Sequence, residues 1–292
     1  MSLIHERTEA VRRTLDRVRA VGFQLDGNTQ EQIDAARDAF VELARETHLF
    51  PEEQFPYLFE HRSGFYRIGE DADHRNALYV QVSTTHQANG PHQHPYWAII
   101  TGVRGNEINV LYERVDDGSS TTHGKLGNRR EEHVTTGRSL FIPKKDFHTI
   151  QVSEDEVGVH LHFYGVGADT AAHRGVPRFS TPDSKDVIIN SGTPEPGRIG
   201  VQRVSLSDVE EAQREGKPLG LLVVDFVGDA LPAPFATAPR VELERIRVGA
   251  DLPADVSTPV VVAGEGKAVR LAAEKLTRLG YFSTFWFDPY HA

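Results

Sequence analysis

The chain of 292 residues has no cysteine, a single methionine and only two tryptophans. Without cysteine there is no disulfide, no thiolate metal ligand and no cysteine nucleophile. That absence fits a cytoplasmic protein, which is the expected location. No apolar run approaches the roughly 18 residues that a membrane helix needs. The segment Met1-Ser-Leu-Ile-His-Glu-Arg leads into a charged helix and not a signal peptide. Positive charge is also scarce: 32 Lys and Arg stand against 42 Asp and Glu, for a formal charge of −10. A surface of that sign repels phosphate, so neither nucleic acid nor a membrane is an expected partner. With 39% hydrophobic and 25% charged residues, the composition is that of a soluble globular protein with room for one large or two ordinary domains.

Histidine, by contrast, is plentiful, and three of the 14 are spaced as a metal cage. His92 and His94 lie in G-P-H-Q-H-P-Y-W, and His148 ends I-P-K-K-D-F-H. On a strand, an H-x-H pair turns both rings to one face because side chains alternate with period two. A third imidazole from a later strand completes a facial set with open positions, which suits a catalytic metal better than a closed four-ligand structural site. Neutral imidazoles accept Fe(II), Zn, Ni and Cu alike, so the spacing does not name the metal. On the segment 159–164, His160, His162 and Tyr164 share a face, so all three point inward or all three outward.

Along the chain, residues 5–20 carry Val11, Leu15 and Val18 at helical spacing. Asn28 or Thr29, with Glu31 or Gln32, predicts an N-cap and capping box for a second helix to about Thr47. From Phe65 to Gly165 the pattern turns to short β-rich runs at 77–84, 97–103, 107–114, 139–142 and 157–164, which predicts an all-β barrel. Residues 168–200 are rich in proline and read as a linker or a strap over the barrel. Helices at 204–215 and 266–280 then alternate with strands at 220–226 and 260–263, the pattern of an α/β domain with a parallel sheet. The predicted layout is two-domain: a barrel with N-terminal helices over 1–167, a linker over 168–200 and a small α/β domain over 201–292.

The run from Gly137 through Pro143 to His148, together with the H-x-H pair, resembles the two-motif signature of the cupin superfamily. Lys145 replaces the usual glycine of the second motif. In the first motif Ala98 and Ile99 stand where a glutamate ligand would fall. A three-histidine site without a carboxylate resembles the thiol dioxygenases, the group of cysteine dioxygenase and 3-mercaptopropionate dioxygenase. His94-Pro-Tyr-Trp97 followed by Arg104-Gly105 is similar to the ligand segment of the mercaptopropionate branch. The resemblance covers about residues 60–165. It implies that His92, His94 and His148 bind Fe(II), and that Tyr164 and His162 position the bound complex. It also implies that Arg67 anchors a substrate carboxylate, with His160 beside the substrate where the family usually has serine. The alternative for Arg67 is an ion pair with Glu70 or Asp71. Tyr164 has no cysteine to form the cross-link found in some cysteine dioxygenases. The implied partners are a small thiol and O₂, and the implied reaction is oxidation to a sulfinate. The other readings are a cupin metalloenzyme acting on a non-thiol, and a non-enzymatic sensor of a sulfur metabolite. His86, His123 and His133 have no frame around them and read as surface or loop residues.

The tail resembles a rhodanese domain in Leu221-Leu-Val-Val-Asp225 and in Val260-Val-Val-Ala263-Gly-Glu-Gly266-Lys267. Ala263 stands where that family carries its sulfur on a cysteine at a helix N-terminus. Sulfurtransferase chemistry is therefore excluded, and a structural role or assembly into a homo-oligomer is expected instead.

Overall fold

The computed structural model describes residues 1–56, 63–83, 90–119, 124–144, 146–152, 157–171, 176–179, 187–190, 199–226, 231–247 and 251–290. His86, His123, Lys145 and most of the predicted linker lie outside them. Two helices open the chain. α1 (Leu3–Ala20) starts where Ser2 Oγ accepts from the His5 amide. α2 (Gln30–Arg45) starts at the predicted capping box, in which Thr29 and Gln32 satisfy each other's backbone amides.

Eight strands follow: β1 (Ser63–Gly69), β2 (Arg75–Ser83), β3 (Ala98–Arg104), β4 (Asn106–Arg114), β5 (Leu126–Thr135), β6 (Ser139–Ile142), β7 (Phe147–Val152) and β8 (Gly158–Val166). The expected runs correspond to β2, β3, β4, β6 and β8, while β1, β5 and β7 were not anticipated. Next come α3 (Ala168–Ala171), the hairpin β9 (Val176–Phe179) with β10 (Val187–Asn190), and β11 (Gly200–Arg203). The chain closes with α4 (Leu206–Arg214), β12 (Gly220–Val224), β13 (Arg240–Val241), β14 (Val260–Ala263), α5 (Gly266–Arg278) and β15 (Thr284–Phe287).

Strands β1-β2-β8-β3-β6 pair antiparallel, and the separate sheet β5-β4-β7 faces them. Side chains of β3, β4, β5, β6 and β8 meet between the two layers in one cluster: Ala98, Ile100, Leu111, Val134, Leu140, Ile142 and Tyr164. The opposite face of the first layer is covered by α1 and α2, with Phe40 against Phe163 at 4.5 Å between ring centroids. β8 is thus covered on both faces: Val159, Leu161 and Phe163 turn to the helices, and His160, His162 and Tyr164 to the inter-sheet space. Gly102 lies where β3 passes close to β5, since a Cβ there would come within 2.3 Å of the Thr135 carbonyl oxygen. Gly105, at φ +77°, makes the one-residue turn from β3 to β4.

The expected separation of an all-β barrel from an α/β domain does not hold for the main sheet. The C-terminal strands run parallel in the order β13-β12-β14-β15-β11, as a parallel sheet was expected, but β11 also pairs in parallel with β1. The result is one ten-stranded mixed sheet. The reason is that β1 has a free edge beside β2, and its backbone groups are satisfied by β11 (Tyr66 opposite Gly200, Arg67 opposite Val201). α1 spans the same junction. Its Ile4 packs with Phe285 and Phe287, Thr8 bonds Ser283 at 3.0 Å, and the buried Arg7 donates to Gln202 at 2.6 Å. No helix among the described residues is long and apolar enough to cross a membrane.

Candidate metal centre

The three histidines converge. His92 and His148 exchange both backbone hydrogen bonds at 3.0 Å, so the strand carrying the third ligand is stitched to the segment carrying the first. His92 makes only this isolated bridge, and His94 lies beyond it in irregular backbone, so the pair is not on a regular strand as expected. The rings nevertheless gather. Centroids of His92 and His148 are 4.6 Å apart, those of His94 and His148 4.8 Å, and those of His92 and His94 5.4 Å. One nitrogen from each lies within 4.8 Å of the other two, and among the described residues no carboxylate joins that group.

The donor set fits a metal ion. Nδ1 of His92 lies 3.2 Å from the Gly90 carbonyl, and Nδ1 of His148 lies 2.8 Å from Asn109 Oδ1. Both oxygens are acceptors, so each Nδ1 carries the proton and each Nε2 presents a lone pair. Nε2 of His148 faces Nε2 of His94 at 2.9 Å. Two nitrogens bound to one ion at about 2.05 Å each, meeting near a right angle, stand roughly 2.9 Å apart. Burial, and then the other imidazoles, pull the His148 pKa well below its ordinary value, which keeps it in the neutral ligating form.

Beside the ligands lies Tyr164, whose ring centroid is 5.2 Å from that of His94. Its hydroxyl is 3.2 Å from His162 Nδ1, and burial drives its pKa far up, so it stays a neutral phenol. His162 Nε2 reaches Glu107 Oε2 at 3.3 Å, and Asn109 Nδ2 donates to Glu107 Oε1 at 2.8 Å. A continuous chain of polar contacts therefore runs from Tyr164 through His162, Glu107 and Asn109 to His148. Burial raises the Glu107 pKa, but the neighbouring His162 and His160 and two hydrogen bonds outweigh it and hold the carboxyl near about 2. It is ionised at neutral pH. His160 Nε2 donates to the Val134 carbonyl at 2.9 Å, and its Nδ1 stands 3.9 Å from Glu107. Burial lowers its pKa as well.

Of the residues anticipated for the site, the structure brings together His92, His94, His148, Tyr164, His162 and His160, and it does not bring in Arg67. Arg67 lies in register with Tyr79 and, one strand further, His162, on the same face of the sheet. Its guanidinium donates to Asp169 at 2.6 Å, Thr277 Oγ1 at 2.7 Å and the Tyr79 hydroxyl at 3.3 Å, with Glu70 at 3.3 Å. The ion pair with Glu70 is thus formed, whereas Asp71 pairs with Arg19 instead. His133 is exposed and lies 3.0 Å from Asn106. Glu107 and Asn109 do not stand out in the sequence as site residues. Their signal was the i, i+2 spacing of polar residues on a strand whose apolar members alternate with them.

No family model matches the chain, and no curated protein matches it. Among solved structures, the chain is similar to an oxalate oxidase in complex with the substrate analogue glycolate. The identity is 16%, over 36% of this chain and 51% of that one, with a TM-score of 0.27. A second oxalate oxidase structure gives 15% identity over 38% and 58%, also at 0.27. A Drosophila melanogaster CENP-C bound to CAL1 gives 15% identity over 29% and 58%, at 0.23. The chain spans about half the length of the first of these.

Proposed function

We propose that this protein is a metal-dependent oxidoreductase, and specifically an Fe(II) dioxygenase that converts a small carboxylate-bearing thiol to a sulfinate. The observation that carries the reading is the convergence of three imidazoles, joined by no carboxylate among the described residues, beside a half-buried phenol. Three neutral ligands leave the full charge of a divalent ion in place, which favours an anionic sulfur ligand. Fe(II), when bound, supplies the redox chemistry by which R–S⁻ and O₂ combine to R–SO₂⁻, a balance that needs no other reactant.

The chain's own residues hold and orient. Tyr164 keeps a hydroxyl beside the ligands, and His162 fixes the direction of that hydroxyl. Ala98, Ile100, Leu111 and Ile142 pack in the cluster against the Tyr164 ring. Arg67 already pairs with Asp169 and Glu70, so the positioning role falls first to Tyr164 and His162. The C-terminal strands and α5 support a structural role. Ala263 offers no thiolate, and Asp288 already accepts from the Gly266 amide at the start of α5 (2.9 Å). A cytoplasmic setting goes with this reading.

The test is O₂ uptake by the Fe(II)-loaded protein across a panel of small thiols with carboxylates, with mass spectrometry of the products. Uptake with a product heavier by two oxygen atoms is expected. No uptake with any thiol at full iron content would refute the thiol reading.

A further inference from the structure

Glu107 is about 1% exposed and sits between the two layers with both oxygens in use. An ionised carboxylate only accepts hydrogen bonds, so each of its partners must donate. On one side Asn109 turns its amide nitrogen to Glu107, which leaves its amide oxygen facing His148 Nδ1 at 2.8 Å. That oxygen also only accepts, so the His148 proton is on Nδ1 and its Nε2 lone pair faces the other ligands. On the other side His162 must donate from Nε2, and its Nδ1 stands 3.2 Å from the Tyr164 hydroxyl. His160 does not compete for the carboxylate, because its Nε2 proton is given to Val134 and its Nδ1 lies 3.9 Å away. Reversing any single link would set donor against donor or leave a buried group unpaired.

From this polarity we infer that Glu107 is the positioning residue of the site: one buried carboxylate dictates which nitrogen of His148 and which nitrogen of His162 carries the proton. It thereby holds a metal ligand and the Tyr164 hydroxyl in their working forms together. The inference rests on the reading of His92, His94 and His148 as one metal centre, but not on the identity of the substrate.

The experiment is long-range ¹H–¹⁵N correlation NMR of the histidine rings in the full-length, metal-free protein. Wild type is expected to show the proton of His148 on Nδ1 and that of His162 on Nε2. Either ring in the opposite tautomer would overturn the proposal, and this measurement needs no variant. In Glu107→Gln an amide must donate on one side, so at least one ring is expected to switch; both rings unchanged would overturn it. Asn109→Ala removes only the arm to His148. It is expected to weaken Co(II) binding by about 10- to 100-fold while leaving the His162 tautomer as in wild type. Unchanged Co(II) affinity would contradict that arm. A failure to oxidise thiols would count against the proposed activity and would leave these tautomers where they are.

Discussion

At the scale of single residues, the ligands were legible and their supports were not. His92, His94 and His148 stand out because an H-x-H pair and a later histidine in a proline-bounded run form a spacing pattern. Glu107 leaves no such mark, since a charged residue in a strand ordinarily reads as one turned to solvent. It faces inward here because His162 and Asn109 meet its charge across the inter-sheet space. Arg67 shows the converse. Its position in the sequence suggested a substrate anchor, yet Asp169 and Glu70, one of them distant in the chain, already balance it. Tyr164 hydrogen-bonds His162 through its hydroxyl, so Tyr164→Phe removes that one hydrogen bond and little volume. The expected outcome is an unchanged metal content with turnover reduced about 10- to 100-fold, read by metal analysis beside initial rates of O₂ uptake.

Elements were readable where local chemistry marks them. The capping box at Thr29 and Gln32, the β-branched run of β14 and the apolar stripe of α5 each carry their own signal. β5 does not: Asn128-Arg-Arg-Glu-Glu-His133 is polar throughout and is a strand because β4 pairs along its length. β7 was hidden for a related reason, as a histidine ligand interrupts its alternation. β3 passes close to the end of β5 at Gly102. Gly102→Ala puts a methyl group into the Thr135 carbonyl and forces one strand to shift, at a cost of about 1–3 kcal/mol. A lower denaturant midpoint with an unchanged slope is the expected result.

For the whole molecule, the sequence suggested a boundary that the main sheet crosses. The pairing of β1 with β11 joins segments far apart in the chain, and such pairings leave no periodicity to read. Two buried arginines reinforce the junction. Arg7, its pKa pulled down to about 9 by burial, reaches Gln202, and Arg67 reaches Thr277. A chain ending at residue 199 would expose the β1 edge and take one hydrogen-bond acceptor from each arginine, and a buried donor left unsatisfied costs about 1–3 kcal/mol. Such a chain is expected to be insoluble or to unfold without cooperativity, as followed by circular dichroism. Cooperative unfolding of the truncated chain would show that the N-terminal strands stand alone.

The most direct test of the account is anaerobic titration of the metal-free protein with Fe(II), in wild type and in His148→Ala. One ion bound per chain is expected in wild type and none held by the variant, with both proteins folded. A full equivalent of Fe(II) retained by His148→Ala would contradict it.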